Sequence, residues 1–247
     1  VHREFPQLAI FNGLGSKGSL LAPLVAREFA DHLFDGRAIE SELDYQERFR
    51  PRVPRADRPR IPRLTEQAQT LVRDVVQPGE TAIDATAGNG HDSCFLAKTV
   101  GHEGGVFAFD VQSDALERTS ARLADIGYTN VTLLHRSHQE MKDAVPEACH
   151  GSVGAVMFNL GYLPGGDHAV TTETETSLAA IITALSLVRS GGIVTVLAYP
   201  GHAGGDDEAG SVRQLLEELP ATEFETSTHR SATTSETAPL LFVIVRR

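Results

Sequence analysis

From Leu64 onward, short apolar runs that favour strands alternate with segments whose apolar residues have helical spacing. The run VGAVMF (153–158) shows no alternation of polar and apolar side chains, which is typical of a strand covered on both faces. Alternating strands and helices favour a mostly parallel sheet with helices on both sides. We therefore expect an α/β, Rossmann-like domain with seven strands, of which the last two can form an antiparallel pair.

The boundaries of these elements follow from apolar periodicity and from turn residues. Helices are predicted at 64–76, 91–100, 114–126, 174–189 and 207–219. Strands are predicted at 80–84, 106–110, 130–134, 153–158, 192–198, 223–229 and 240–246.

The strongest local signal lies where the first of these strands ends. The segment TAIDATAGNGHD (81–92) places Asp84 at the strand end and then runs through a glycine loop into a helix. Gly88 and Gly90 allow positive φ and a close approach of backbone to a ligand. The dinucleotide pattern G-x-G-x-x-G is incomplete, because Ser93 takes the place of its third glycine. A carboxylate here would repel a pyrophosphate but suits the cationic groups of S-adenosylmethionine; a plain tight turn is the alternative.

A second acid ends the next predicted strand. The segment VFAFD (106–110) ends at Asp110, 20 residues beyond Gly90. At this offset an acid reaches the ribose hydroxyls of a bound nucleoside, and Gln112 can add a further hydrogen bond; a helix cap is the alternative. After the third strand, Ser137 and His138 fall where the adenine would lie. The two strand ends together predict a nucleoside-binding site.

The fourth predicted strand ends in FNLGYLPGGDH (158–168). Enzymes that methylate exocyclic amines of bases place an Asn or Asp here, followed by small residues or proline and an aromatic residue. The amine must keep its lone pair aimed at the methyl group, and the Asn159 side-chain oxygen with the Leu160 carbonyl can accept its hydrogens and fix that direction. Tyr162 offers a face for a stacked base. A glycine-rich turn capped by Asn159 is the alternative.

Two further side chains of this segment can accept a proton. Asp167 and His168 are candidates, because an alkylamine is largely protonated at neutral pH, although each can equally be an ordinary hydrogen-bonding loop residue. His168, His202 and Asp167 lack the spacing of metal ligands, so we expect no metal.

Five segments together resemble one known family. They are DATAGNGHDSCFLA (84–97), FDVQSDAL (109–116), FNLGYLPGGDH (158–168), TTETETSLAAI (171–181) and YPGHAGG (199–205). The chain from about 64 to 247 resembles the bacterial tRNA 5-aminomethyl-2-thiouridine methyltransferases, formerly named rRNA methylases. The resemblance implies a class I S-adenosylmethionine-dependent methyltransferase fold, and methylation of the aminomethyl group at the tRNA wobble uridine. The sequence departs from the family at TTSETAP (233–239), where an Asn-Gln-x-Asn-x-Pro-Pro-like loop keeps only its second proline, so that loop's contacts are not expected.

Motif and resemblance give one set of expected site residues. The expected cofactor-binding residues are Asp84, Ala85, Thr86, Gly88, Asn89, Gly90, His91, Asp92, Asp110, Val111, Gln112, Ser137, His138 and Asn159. The expected substrate-binding residues are Leu160, Gly161, Tyr162, Gly165, Gly166 and His202, and the expected catalytic residues are Asn159, Tyr162 and Asp167.

The residues before 64 predict two further segments. An N-terminal extension, 1–47, contains FNGLGSKGSLLAPLVAREFADHL (11–33), which resembles the C-terminal end of glycine-oxidase-type FAD-dependent oxidoreductases. That resemblance implies a remnant of a fusion with a flavin oxidoreductase domain; an independent helical extension is the alternative. The segment 48–63 holds 7 Arg against 1 Asp and four prolines, which predicts an extended linker or an RNA-contacting arm.

Composition limits the partners. The net charge is −11, and residues 64–247 carry 11 basic against 24 acidic side chains, so a long nucleic-acid groove is not expected on the domain. No apolar run approaches the roughly 20 residues of a membrane-spanning helix, and no signal peptide is recognisable. We expect a cytoplasmic protein with free thiols at Cys94 and Cys149. The expected partner is a tRNA anticodon stem-loop, with a flavin oxidoreductase domain and a second copy of the chain as further candidates.

Three other functions remain open from the residues alone. A small-molecule amine methyltransferase would use the same site without RNA. A non-catalytic cofactor-binding module could serve a flavin partner, although Asn159 is present. A nicotinamide dehydrogenase is disfavoured by the missing third glycine.

Overall fold

The computed structural model describes residues 63–161, 174–200, 204–231 and 238–247, which belong to one unit. The predicted extension 1–47 and the linker up to residue 62 lie outside the described residues. No helix within the described ranges is long and apolar enough to cross a membrane.

Seven strands and six α-helices are described, together with two short 3-10 turns at His138–Glu140 and Glu147–Cys149. The strands are β1 Thr81–Asp84, β2 Gly105–Asp110, β3 Val131–His135, β4 Val153–Asn159, β5 Val188–Ala198, β6 Phe224–Arg230 and β7 Leu240–Arg246. The helices are α1 Leu64–Val75, α2 His91–Val100, α3 Ser113–Ile126, α4 Met141–Ala144, α5 Thr174–Leu187 and α6 Gly205–Glu218.

All seven strands lie in one sheet, in the order β3-β2-β1-β4-β5-β7-β6. Strands β1 to β5 pair in parallel, whereas β7 is antiparallel to both of its neighbours, β5 and β6. The strand order reverses between β1 and β4, and ligands of open α/β sheets bind beyond the carboxyl ends of the strands at such a switch point. The predicted seven-stranded, mostly parallel sheet is confirmed, as is the antiparallel pairing of the last two strands.

Apolar cores cover both faces of the sheet. Within β4, Ala155 and Met157 belong to the core shared with α1 and α2, whereas Val156 and Phe158 belong to the core shared with α5 and α6. All four side chains are at most 3% exposed. The lack of polar alternation in this strand therefore has the predicted cause, because neither face meets solvent.

The start of β5 differs from the prediction. The sequence predicts a helix that continues to residue 189 and a strand that begins at 192, but α5 ends at Leu187 and β5 begins directly at Val188. Val188 pairs with Val153, and the register then shifts before Ala155 pairs with Ile193. Gly191, at a φ of 72°, lies in the extra residues of this irregularity. Helical periodicity does not reveal a strand that begins with such a bulge.

Candidate active site

The loop after β1 is organised by Asp84, whose side chain is fully buried. Its carboxylate accepts hydrogen bonds from the Ser93 hydroxyl at 2.6 Å and from the Thr86 backbone N–H at 3.1 Å. Burial, together with the nearby charge of Asp92, raises the pKa of Asp84 to about 7. Asp84 thus connects the end of β1 to the first turn of α2 and shapes the loop from within.

The glycines of this loop allow it to lie directly against α3. Gly90 has a φ of 78°, and a Cβ atom there would be only 2.9 Å from both the Cα and Oγ1 atoms of Thr119. The Thr119 hydroxyl donates to the Gly88 carbonyl at 3.2 Å, and the Arg122 side chain donates to the Asn89 carbonyl at 2.8 Å. Only glycine fits at position 90, and α3 holds the loop in a fixed path.

Asp110, at the end of β2, connects the loop after β1 to the loop after β2. Its carboxylate accepts one hydrogen bond from the Gly88 N–H at 2.8 Å and one from the Gln112 N–H at 2.9 Å. The side chain is only partly buried, and a carboxylate has about four lone-pair sites. Asp110 therefore keeps acceptor capacity for hydroxyl groups. Next to it, Val111 is 55% exposed, which is unusual for a large apolar side chain in this domain.

The segment after β3 brings His138 towards the end of β1. Its side chain is 8% exposed and meets the Phe158 ring edge-on at 5.9 Å between centroids. Burial lowers the pKa of His138. A hydrogen bond with the Ala85 backbone and the negative charge of Asp110 act in the opposite direction and raise it. Within the described residues its Nε2 atom has no hydrogen-bond partner. A neutral imidazole with one unused nitrogen therefore lies beside the predicted cofactor loop. The neighbouring Ser137 hydroxyl accepts from the Gln139 N–H at 3.4 Å.

The end of β4 lies against the cofactor loop. The Asn159 backbone N–H donates to the Thr86 hydroxyl at 2.7 Å, and its side-chain amide donates to the Asp92 carboxylate. Leu160 is fully buried, and its N–H donates to the Leu197 carbonyl at 2.8 Å. A contact between Leu160 and a substrate would therefore be made by the backbone carbonyl, as the sequence suggests.

Asp92 connects this strand end to α1. It is 8% exposed, and its second carboxylate oxygen accepts from the Gln69 side chain at 2.8 Å. Burial raises the pKa of Asp92, while the hydrogen bonds from Gln69 and Asn159 oppose the shift. The pKa of Tyr199, just beyond β5, is raised by burial and by the charge of Asp92.

The structure brings most of the predicted site residues to one edge of the sheet. The loop 85–92, the β2 end at 110–112, the pair 137–138 and the β4 end at 159–161 all follow the carboxyl ends of strands. His91 is exposed at the start of α2. Tyr162, Gly165, Gly166, Asp167, His168 and His202 lie outside the described residues and stay predictions. In the described ranges, no cluster of His, Cys, Asp or Glu could hold a metal ion.

Four side chains of this edge are missed by sequence reasoning, namely Gln69, Ser93, Thr119 and Tyr199. In the sequence, Ser93 is noted only because it replaces the third glycine of the dinucleotide pattern. In the structure its hydroxyl donates to the Asp84 carboxylate, nine residues earlier. Tyr199 belongs to the quoted segment YPGHAGG, but the sequence assigns it no role. Gln69 and Thr119 carry no sequence signal, since each is one polar residue in an amphipathic helix.

Comparison with known proteins agrees with this geometry. The family described as "Putative rRNA methylase" matches residues 106–245. A tRNA (mnm5s2U34)-methyltransferase of Arabidopsis thaliana chloroplasts is 37% identical over 171 residues, which are 66% of this chain and 62% of that enzyme. The chain thus matches less than two thirds of that relative's length.

Solved structures agree with the fold. A Clostridium thermocellum protein of the same description is 36% identical, with a TM-score of 0.73 over 76% of this chain and 100% of the other. A methyltransferase from Streptococcus mutans, solved in complex with SAH, is 33% identical, with a TM-score of 0.68 and the same two coverages. The predicted Rossmann-like methyltransferase fold is confirmed, and so is the predicted resemblance of the chain to this family. The chain belongs to the rRNA methylase family of S-adenosylmethionine-dependent methyltransferases.

Proposed function

We propose that the protein methylates the aminomethyl group of 5-aminomethyl-2-thiouridine at the wobble position of tRNA, giving 5-methylaminomethyl-2-thiouridine. The observation that carries this proposal is the position of Asn159, which ends β4 beside the cofactor loop with its side-chain amide held by Asp92. The plant relative, a tRNA (mnm5s2U34)-methyltransferase, supports the same wobble uridine. The family's own description supports methylation of RNA more broadly.

The described residues fit S-adenosylmethionine. Asp110 is partly buried and keeps lone pairs for ribose hydroxyls, while the exposed Val111 offers an apolar surface to one face of the adenine. The Nε2 atom of His138, which has no hydrogen-bond partner in the described part of the chain, adds a polar atom to the same region. Gly88, at a positive φ, adds no side chain to the loop, and Gly90 allows the loop to lie against Thr119 of α3. When bound, the cofactor supplies an electrophilic methyl group on a sulfonium.

Asn159 provides orientation for the amine. An amine nitrogen has to lose one proton and direct its lone pair at the methyl carbon, so that an N–C bond forms while the S–C bond breaks. The Asn159 side-chain oxygen accepts one of the amine's hydrogens, and the Leu160 carbonyl accepts another. Fixing reacting atoms in line in this way lowers the entropic part of the barrier. Asp167 and His168 are the proposed proton acceptors.

The RNA partner is proposed to be the anticodon stem-loop. The basic linker 48–63 would supply charge for phosphates, because the domain itself is acidic. Association with a flavin oxidoreductase domain, a homodimer and the cytoplasmic location stay predictions.

The proposal is tested by incubation with labelled S-adenosylmethionine and tRNA that lacks only the last methyl group, followed by nucleoside mass spectrometry. We expect 5-methylaminomethyl-2-thiouridine as the product. Ribosomal RNA and free small amines are parallel substrates. Methylation of either of these, with none of the tRNA, would overturn the tRNA assignment.

The same assay tests Asn159. Asn159→Ala should lower kcat by about 10²-fold, the scale of misplaced reacting groups. Its affinity for S-adenosylmethionine, measured by calorimetry, should stay close to that of the wild type, because Asp110 lies on a different strand. Wild-type turnover of this variant would remove the orienting role of Asn159.

A further inference from the structure

We infer that Asp92 is a positioning residue for the transfer, because its carboxylate holds the Asn159 side chain with the amide oxygen turned towards the substrate amine. This inference rests on the proposed function. It is carried by the chain of contacts from Gln69 through Asp92 to Asn159, which joins α1, α2 and the end of β4.

The chemistry of the carboxylate determines which end of the amide it binds. An ionised carboxylate only accepts hydrogen bonds, and a side-chain amide offers an NH2 group that donates and an oxygen that accepts. Asp92 therefore binds the NH2 group of Asn159, and the oxygen of the same amide is turned away from it. Without Asp92, rotation of the amide by half a turn would present an NH2 group to the amine, and two donors would face each other.

Gln69 fixes Asp92 in turn. Its NH2 group donates to the other carboxylate oxygen at 2.8 Å, so the plane of the carboxylate is held from two sides. Both partners of Asp92 are neutral amides. In this arrangement Asn159 would contact the substrate, Asp92 would orient Asn159, and Gln69 would hold Asp92.

Asp92 lies in the first turn of α2, where a negative charge is favourable for the helix, but it is not the residue that caps that helix. The residue that caps α2 is Gly90, and the described hydrogen bonds of the Asp92 side chain go to two other elements. A buried carboxylate bonded by neutral groups costs free energy, and here its charge also acts on the buried carboxyl group of Asp84. The favourable position in the helix does not explain why both carboxylate oxygens bind side-chain amides of other elements, whereas selection of one amide orientation does.

The test is a double-mutant cycle on the tRNA substrate with Asp92→Asn and Asn159→Ala. Asp92→Asn keeps the shape of the side chain, but its amide can bind Asn159 in either orientation. We expect kcat to fall about 10-fold or more, in line with the cost of misplaced reacting groups. Although the sequence places Asp92 among the cofactor-binding residues, both of its carboxylate oxygens bind protein side chains, so the S-adenosylmethionine Kd should change by less than about 3-fold. If Asp92 acts only through Asn159, the double variant should be no slower than Asn159→Ala alone.

Two further variants separate positioning from folding. Gln69→Ala leaves the charge in place and should lower kcat by a smaller factor than Asp92→Asn. Glu80→Gln is the matched control, because Glu80 is a partly buried, hydrogen-bonded carboxylate at the opposite edge of the sheet, where it binds Arg189 at 2.6 Å. This control should lower Tm while kcat stays at the wild-type value.

The outcomes are distinguishable. Wild-type protein that fails to methylate the tRNA would overturn the proposed function and this inference with it. Wild-type protein that is active, together with a double variant slowed by the product of the two single effects, would overturn the inference alone. Full turnover by Asp92→Asn would do the same.

Discussion

Asp84 and Asp110 look alike in the sequence, since each ends an apolar strand and precedes a loop that leads into a helix. In the structure, Asp84 is fully buried and bonded to Thr86 and Ser93 of its own loop and helix, whereas Asp110 is partly buried and binds backbone N–H groups of two different loops. The sequence suggests that both carboxylates meet the cofactor directly. Burial separates them: the inner one shapes the loop, and the outer one stays accessible to a ligand.

The largest effect should come from breaking the loop that Asp84 shapes. Gly90→Ala would place a Cβ atom 2.9 Å from the Thr119 backbone at a φ of 78°. Overpacking costs roughly 1–3 kcal/mol, and the left-handed backbone adds about 1 kcal/mol. Gly127→Ala is the control, because Gly127 also has a positive φ, of 74°, but a Cβ atom there would meet nothing within 4 Å. Urea denaturation that gives equal losses for both variants would show that the contact with α3 is unimportant.

The outer carboxylate should matter for binding. Asp110→Ala should weaken S-adenosylmethionine by about 1–3 kcal/mol, the cost of leaving polar groups unpaired. Asp114→Ala, on the exposed first turn of α3, is a control that should bind as the wild type does. Calorimetry measures both. Unchanged affinity of Asp110→Ala would remove Asp110 from the cofactor site and with it the contrast between the two strand ends.

The buried carboxyl group of Asp84 should make the free energy of unfolding depend on pH. Its pKa is raised from 3.8 to about 7 in the folded protein. Between these values the unfolded chain has released the proton and the folded protein retains it, so the contribution of Asp84 to stability is present below pH 4 and is lost as the pH rises to 7. The free energy of unfolding of the wild type, relative to Asp84→Asn, should therefore fall by at most roughly 1.4 kcal/mol per pH unit in this window. Urea titrations that differ by a constant amount from pH 4 to 7 would contradict the raised pKa.

The smallest effect should come from the hydroxyl that fastens the loop. Thr119→Val removes the donor to the Gly88 carbonyl and should cost about 1 kcal/mol of unfolding free energy. Thr183→Val removes a similar hydroxyl bond, of 2.9 Å, on the exposed side of α5 and should cost less. Equal Tm values for the two variants would mean that the loop does not depend on α3.

The sequence predicts the bounds of elements around the candidate site well where these bounds depend on neighbouring residues in the chain. The bounds of α2 are predicted to the residue, because a left-handed glycine precedes it and another positive-φ glycine, Gly101, follows it. The strand ends that carry Asp84, Asp110 and Asn159 are found from apolar runs that stop at a polar residue.

What the sequence could not show depends on distant elements. Gln69 reaches Asp92 from 23 residues away and Asp92 reaches Asn159 from 67 residues away, and no periodicity encodes such pairs. The exposure that separates Asp84 from Asp110 is likewise a property of the packed sheet. The irregular start of β5 is missed because its extra residues are set by pairing with Val153.

The place of β7 in the sheet has a consequence for the order in which the protein can fold. This strand follows β6 in the sequence, yet it lies between β5 and β6 in the sheet. It is the strand with which β6 pairs. During synthesis, β1 to β5 can assemble as soon as they emerge, but β6 has no place to dock until residues 240–246 have left the ribosome. Until then the inner edge of β5 stays open, and an open strand edge invites pairing with other chains. The growing protein thus carries an unpaired edge of β5 in the interval between making β5 and making β7.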